Sequence, residues 1–128
     1  MPTVICNGVF GTLHPDHVRL FEFAANYGNL TVAINADSHV QKKYGKIYIS
    51  LVDRIYQIKA IKYVSNVVVF TENDASKILE KLKPNFYVKG QDYANKTYPE
   101  LDICKRLGIK ILIAPHHRKY STTELLGL

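Results

Sequence analysis

The sequence has little cysteine and no long apolar run, and both absences narrow the class of protein. Cys6 and Cys104 are the only cysteines among 128 residues, and each lies in an apolar stretch. Two buried free thiols fit a reducing compartment, and no CxxC or Cys/His spacing indicates zinc. No segment approaches the roughly 20 apolar residues of a membrane-spanning helix, and the N-terminus carries no basic, apolar leader. We therefore predict a cytoplasmic protein with no membrane partner.

Internal repeats, low-complexity tracts and linkers are also absent. With 47% hydrophobic residues, the chain can form one core and is too short for two, so we predict a single domain over residues 1–128. The net charge of +6 favours anionic partners but does not choose between them. The densest basic cluster, residues 41–46, is short, and no aromatic stacking motif or recognition helix accompanies it. We therefore do not expect nucleic acid as a partner.

Short apolar runs alternate with helical periodicity along the chain. Strands are predicted for Val4–Asn7, Leu30–Asn35, Val67–Phe70, Asn85–Val88 and Ile109–Ile113. Capping residues and apolar spacing predict helices at Pro15–Tyr27, Leu51–Val64, Ala75–Lys83 and Thr97–Leu107, and a short one from Ser121. This alternation predicts the α/β class: a single Rossmann-like domain whose five-stranded parallel sheet is flanked by helices. Such folds bind ligands beyond the carboxyl ends of their strands, so the first strand–helix loop is the candidate site.

That loop, residues 7–17, contains two glycines and two histidines. Gly8 and Gly11 let the backbone turn tightly and let a ligand approach the main chain. His14 and His17 lie three residues apart where a helix begins, so both rings can lie on one face near its free N–H groups. A helix N-terminus attracts phosphate, and the imidazoles add to that attraction. The spacing equally permits a structural role, with His14 as the helix cap and His17 at the surface.

The loop resembles the signature of the HxGH nucleotidyltransferases. The residues that carry the resemblance are Gly8-Val9-Phe10 and Leu13-His14-x-x-His17. They are similar to the cytidylyltransferase-like branch with glycerol-3-phosphate cytidylyltransferase and the heptose-1-phosphate adenylyltransferases. Further matches follow in order along nearly the whole chain: Val32–Ser38, Asp53–Arg54, Pro84–Tyr93 and Tyr120–Thr123. The last two segments are more similar to the heptose adenylyltransferases.

The resemblance implies a nucleotidyltransferase that transfers AMP or CMP from an NTP, ATP or CTP, to a phosphorylated sugar or polyol and releases pyrophosphate. The favoured expectation is a sugar 1-phosphate adenylyltransferase. A glycerol-3-phosphate cytidylyltransferase and a catalytically degenerate nucleotide-binding homologue are the alternatives. The resemblance also implies a homodimer, and Mg²⁺ held mainly by the nucleotide phosphates rather than by a protein metal site.

The same resemblance implies roles for individual residues. Those that would stabilise charge during in-line attack are His14, His17 and Lys43. Those that would bind the nucleotide are Gly8, Val9, Phe10, Gly90, Asp92, Ser121 and Thr122. Those that would bind the acceptor phosphate are Lys46 and Arg54.

Several of these residues have simpler alternatives. Lys43 and Lys46 would then belong to a solvated loop, and Gly90–Asp92 would be an ordinary turn. Arg54 would form a surface ion pair with Asp53 or Glu22. Ser121–Glu124 matches a capping box, which is compatible with an anion site.

Two residues depart from the family pattern inside the signature. Gly11 stands where the family usually has aspartate, and Asp16 stands where it usually has glycine. A carboxylate in the first turn suits the helix dipole, but it brings negative charge toward the phosphates. Either Asp16 points away, or it holds a magnesium ion or a lysine. His116 replaces an arginine of the glycerol-phosphate branch, which the adenylyltransferases also lack.

Overall fold

Residues 1–115, which the computed structural model describes, form parallel strands connected by helices. The strands are β1 (Thr3–Gly8), β2 (Asn29–Asn35), β3 (Asn66–Phe70), β4 (Phe86–Gly90) and β5 (Lys110–Ala114). The helices are α1 (Pro15–Ala25), α2 (Asp37–Tyr44), α3 (Leu51–Lys59), α4 (Ser76–Leu82) and α5 (Glu100–Leu107), with a 3-10 helix at Gln91–Tyr93.

The sheet has the order β3-β2-β1-β4-β5, and every neighbouring pair is parallel. This confirms the predicted α/β, Rossmann-like fold. The chain adds β2 and β3 on one side of β1 and then returns to add β4 and β5 on the other side. The order therefore reverses between β1 and β4, and such a switch point is where open sheets bind ligands. Within residues 1–115, no helix is long and apolar enough to cross a membrane.

Successive strand residues face two different cores, because side chains alternate across a sheet. Val4 and Cys6 pack in the first core, to which α1 contributes Phe21. Ile5 packs in the second core, to which α5 contributes Cys104. All five are at most 1% exposed, and burying a large apolar side chain contributes roughly 1.5–3 kcal/mol. The prediction of two buried free thiols is confirmed.

Helix α2 was not predicted, and the expected loop at Lys43 is wrong. The segment has one buried residue, Val40, so it lacks the apolar spacing that reveals an amphipathic helix. The helix begins two residues after β2 and ends at Gly45, whose φ of 83° is left-handed. Lys43 lies in its last turn, whereas Lys46 lies after it, as predicted.

The four helices predicted within residues 1–115 are all longer than the observed ones, and two of them differ by three residues or more. Helix α3 ends at Lys59 rather than Val64, and Ala60–Val64 forms turns. Helix α5 begins at Glu100, with Pro99 at its N-cap, so the predicted start at Thr97 is wrong. The Glu100 carboxylate does not close a capping box, since it accepts a 2.8 Å hydrogen bond from the N–H of Ala75.

Candidate active site

The candidate site lies at the carboxyl edge of the sheet, where β1 and β4 end side by side. Gly8 ends β1 and lies in the histidine loop, defined as residues 7–17. Gly90 ends β4 and is the N-cap of the 3-10 helix that contains Asp92. Because β1 and β4 are neighbouring parallel strands, both segments leave the same edge. The sheet thus brings together two motifs that are about 80 residues apart in the sequence.

His14 and His17 stack on each other at the start of α1. Their ring centroids are 3.7 Å apart and their planes are 20° from parallel. His14 occupies the N-cap and is 8% exposed, and Nδ1 of His17 accepts the His14 backbone N–H at 3.3 Å. A ring nitrogen that accepts carries no proton, so the proton of a neutral His17 is on Nε2. His14 thus occupies the N-cap position, whereas His17 is half buried between Phe10 and His14 rather than at the surface. The contact at Nδ1 leaves Nε2 of His17 as a hydrogen-bond donor.

Phe10 shapes the loop before the histidines. Its ring packs edge-on against His17, with centroids 5.0 Å apart, and against Phe21 at 5.4 Å. A Cβ at Gly8 would lie 2.8 Å from Cζ of Phe10, so any side chain there would require the ring to shift. Phe10 has a φ of 48°, which is uncommon for a residue with a side chain and typical of sites that hold strain.

Arg54 of α3 supports the loop from inside the protein. Its side chain has no exposed surface. Nη1 donates hydrogen bonds of 2.8 Å to the carbonyls of Val9 and Asn35, and Nη2 donates one of 2.7 Å to Asp37. The alternative of a surface ion pair with Asp53 or Glu22 is therefore wrong. The predicted contact with acceptor phosphate would require Arg54 to leave these partners.

Asp16 forms an ion pair with Arg19 on the next turn of α1, at 2.7 Å. The Asp16 side chain is 5% exposed and that of Arg19 is 51% exposed. The carboxylate thus meets an arginine, a partner that the sequence interpretation did not consider. The guanidinium offsets the negative charge that Asp16 brings to the first turn of the helix.

Lys43 and Lys46 are both exposed. Nζ of Lys43 lies 5.4 Å from the ring centroid of Tyr44, and Nζ of Lys46 lies 4.6 Å from that of Tyr48. Each ammonium therefore rests on a neighbouring aromatic ring, and contact with substrate stays a prediction for both residues.

The remaining predicted residues divide into two groups. Asp92 is exposed and lies in the 3-10 helix. The alternative of an ordinary turn at Gly90–Asp92 therefore becomes a short helix with Gly90 as its N-cap. Ser121, Thr122 and His116, and the predicted last helix, lie outside the described residues. Their roles stay predictions.

Sequence reasoning missed one charged residue at this edge, Lys89 in β4. The predicted strand stopped at Val88, so the lysine was placed outside it. A lysine that continues the apolar run of residues 86–88 was the available signal. Burial lowers the pKa of this lysine, while the nearby Glu100 partly opposes the shift.

Burial raises the pKa of Cys6 to about 12, so this thiol is uncharged at neutral pH.

Residues 5–126 match the cytidylyltransferase-like family, and the chain belongs to that family of nucleotidyltransferases. It is 35% identical over 130 residues to D-beta-D-heptose 1-phosphate adenylyltransferase of Bordetella bronchiseptica, covering 98% of this chain and 80% of that protein. It is also 35% identical over 127 residues to the bifunctional protein HldE of Streptomyces coelicolor. That match covers 97% of this chain but only 27% of the Streptomyces protein.

Solved structures share the fold. The lipopolysaccharide core biosynthesis protein from Thermoplasma volcanium superimposes with a TM-score of 0.74 at 23% identity, covering 91% of this chain and 98% of that one. Pantothenate synthetase from Thermus thermophilus gives a TM-score of 0.67 at 12% identity, covering 98% of this chain and 61% of that one. At these identities, the likeness concerns the fold alone.

Proposed function

We propose that the protein transfers AMP from ATP to a sugar 1-phosphate and releases pyrophosphate. The observation that carries the proposal is the stacked His14–His17 pair at the N-terminus of α1, on the edge where β1 and β4 end. The name of the Bordetella relative supports a sugar 1-phosphate as acceptor and an adenylyl group as the transferred group. CMP transfer from CTP to a polyol phosphate is the alternative within the same chemistry.

In the proposed reaction, an acceptor phosphate oxygen attacks the α-phosphorus of ATP. The bond from the α-phosphorus to the oxygen bridging to the β-phosphate breaks, and that oxygen leaves with pyrophosphate. Negative charge grows on the α-phosphoryl oxygens and the leaving oxygen. Nε2–H of His17 supplies a donor to this charge, and the positive end of the α1 helix dipole attracts it. The buried Arg54 holds the loop in place, so this donor needs little reorganisation.

Magnesium is proposed as a counter-ion of the nucleotide phosphates. Among residues 1–115, no group of three or more His, Cys, Asp or Glu side chains gathers as a metal site. Mg²⁺ commonly binds substrate phosphates and water with few protein ligands, which fits this donor set. Bound there, it would neutralise phosphate charge. Asp92 is proposed to contact the ribose or base, and Ser121 and Thr122 the outer phosphates.

The test is a pyrophosphate-release assay with the four NTPs and three acceptors: heptose 1-phosphate, glucose 1-phosphate and glycerol 3-phosphate. We expect ATP with a sugar 1-phosphate to give the highest kcat/KM, and only when Mg²⁺ is present. Turnover of CTP with glycerol 3-phosphate alone would replace the proposal with its alternative.

A second candidate function is nucleotide binding without turnover. The substitutions Gly11 and Asp16 favour it, because they change the charge pattern of the signature itself. An ATP-dependent rise in melting temperature, without pyrophosphate release from any pair, would establish it. The homodimer and the cytoplasmic location stay predictions, and sedimentation at micromolar concentration tests the first.

A further inference from the structure

Lys89 is a cation at the site that the mechanism above does not use. Its Nζ lies 3.9 Å from the ring centroid of Tyr93, 5.1 Å from that of Tyr98 and 5.4 Å from that of Tyr87. Its hydrogen bond to the Tyr87 hydroxyl is long, at 3.5 Å. Within residues 1–115, no carboxylate forms an ion pair with it. This half-buried ammonium is therefore held by aromatic faces and keeps donors available.

The surroundings of Lys89 connect it to the histidine loop. The Tyr87 hydroxyl donates a hydrogen bond to Oδ1 of Asn7, the first residue of that loop. β1 and β4 pair with Ile5 opposite Tyr87. Because side chains alternate along each strand, Asn7 and Lys89 lie on the same face of the sheet as Ile5 and Tyr87. The ammonium is thus anchored at the end of β1, beside the start of the histidine loop.

The other candidate cations for an acceptor phosphate are placed less well. Arg54 is buried and already donates to two carbonyls and a carboxylate. Lys46 is exposed, and its charge is screened by solvent. Lys89 is half buried, so an anion that reaches it gains a charge-assisted hydrogen bond in a less polar environment. Burial also lowers its pKa, because the charged ammonium loses its water, and the nearby Glu100 opposes this shift only in part.

We propose that Lys89 binds the phosphate of the acceptor and holds it for attack on the α-phosphorus. This inference rests on the proposed function and assigns the acceptor side of the same site. Lys89 takes no proton in the reaction. It donates to the phosphate oxygens that do not attack, while an oxygen of the same phosphate forms the new bond and pyrophosphate leaves.

The first experiment compares Lys89→Met with Lys89→Arg. Lys62→Met is the matched control, because Nζ of Lys62 also lies over a tyrosine ring, at 5.2 Å from Tyr63, but at the opposite edge of the sheet. We expect Lys89→Met to raise the KM for the acceptor about 10- to 100-fold and to leave the KM for ATP within about threefold. Lys89→Arg should recover most of the loss, and Lys62→Met should match the wild type.

Two results of these kinetics would overturn the inference. An equal increase in both KM values would assign Lys89 to the nucleotide phosphates instead. An unchanged KM for the acceptor would show that no phosphate contacts it. The melting temperature of Lys89→Met serves as the folding check. We expect no decrease, because the substitution removes a charge that burial disfavours.

The second experiment does not depend on turnover. The wild-type protein is acylated with an amine-reactive ester in the presence of glucose 1-phosphate, inorganic phosphate or ATP, and the labelling rates of Lys89 and Lys62 are measured by peptide mass spectrometry. At ten times its Kd, glucose 1-phosphate should slow labelling of Lys89 about tenfold and leave Lys62 unchanged. Protection without turnover would support the site while the proposed function fails. Protection by ATP alone, or by none of the three, would overturn the site even in an active enzyme.

Discussion

The histidine loop and the lysine segment, residues 41–50, both carry residues that the family resemblance assigns to phosphate chemistry, but the fold holds them differently. His14 is buried at a helix start and stacked on His17, and the His17 ring packs in turn against Phe10. Lys43 and Lys46 are exposed and rest only on neighbouring tyrosine rings. Arg54 hydrogen-bonds the backbone of the first region directly.

In the proposed reaction, this difference predicts two kinds of contribution from the two regions. A donor that is already in place stabilises transition-state charge without reorganisation, so its loss lowers kcat. A mobile surface cation attracts a polyphosphate from solution, and salt weakens that attraction. We therefore expect the histidine loop to govern turnover and the lysine segment to contribute to binding.

The largest expected effect is that of His17→Ala. Loss of one donor to a developing charge costs on the order of 100- to 1,000-fold in kcat. His17 is half buried and adds little to the core, so the melting temperature should change by only a few degrees. Steady-state pyrophosphate release, together with a thermal melt, provides the measurement.

Two further variants separate the roles of the two ring nitrogens of His17. Asparagine has a polar atom near the position of Nδ1, and glutamine has one near that of Nε2. His17→Asn should keep the cap and lose the rate, whereas His17→Gln should retain part of the rate. The reverse order would show that turnover depends on the contact with the His14 backbone rather than on donation to phosphate.

Arg54→Met tests the support beneath the loop. The variant leaves two backbone carbonyls and Asp37 without their donor, so we expect a loss of roughly 2–4 kcal/mol in the free energy of unfolding. Urea denaturation measures it. Arg54→Lys keeps the charge but not the planar fork of donors, and should lose less. Full stability of Arg54→Met, with a raised KM for the acceptor, would favour the phosphate role over the supporting role.

Asp16→Asn tests whether the unusual carboxylate assists or opposes nucleotide binding. It removes negative charge beside the helix start and releases the Arg19 guanidinium, so we expect ATP to bind about 3- to 10-fold more tightly. Isothermal titration with Mg²⁺ present measures the change. Weaker binding that Gly11→Asp restores in the double variant would instead mean that Asp16 replaces the missing acidic group.

The smallest expected effect is that of replacing Lys43 and Lys46 together with methionine. The KM for ATP should rise about two- to fivefold at low ionic strength, with kcat unchanged, and the difference should nearly vanish at high salt. Kinetics at two salt concentrations measure it. A large loss of kcat at both concentrations would place these lysines among the catalytic residues and remove the contrast between the two regions.

The fold was largely predictable because its strands are short apolar runs bounded by capping residues and glycines. β2 matches its predicted range within one residue, and so does β3. Helix α2 could not be found this way, because its one buried residue produces no periodicity. The early start predicted for α5 failed for a related reason: the carboxylate of Glu100 binds Ala75, a partner 25 residues away.

The candidate site likewise has some features that local sequence sets and others that distant contacts set. The sequence by itself determined the class of fold, the histidine loop and its place at a helix start, because these depend on local spacing. Only the tertiary structure decided that Arg54 is an internal support, that Asp16 pairs with Arg19, and that Lys89 lies among tyrosines beside β1. The physical reason is the separation along the sequence over which each interaction acts. Helix caps and strand patterns act over a few residues, whereas the partners of a charged side chain depend on which strands and helices the fold brings together.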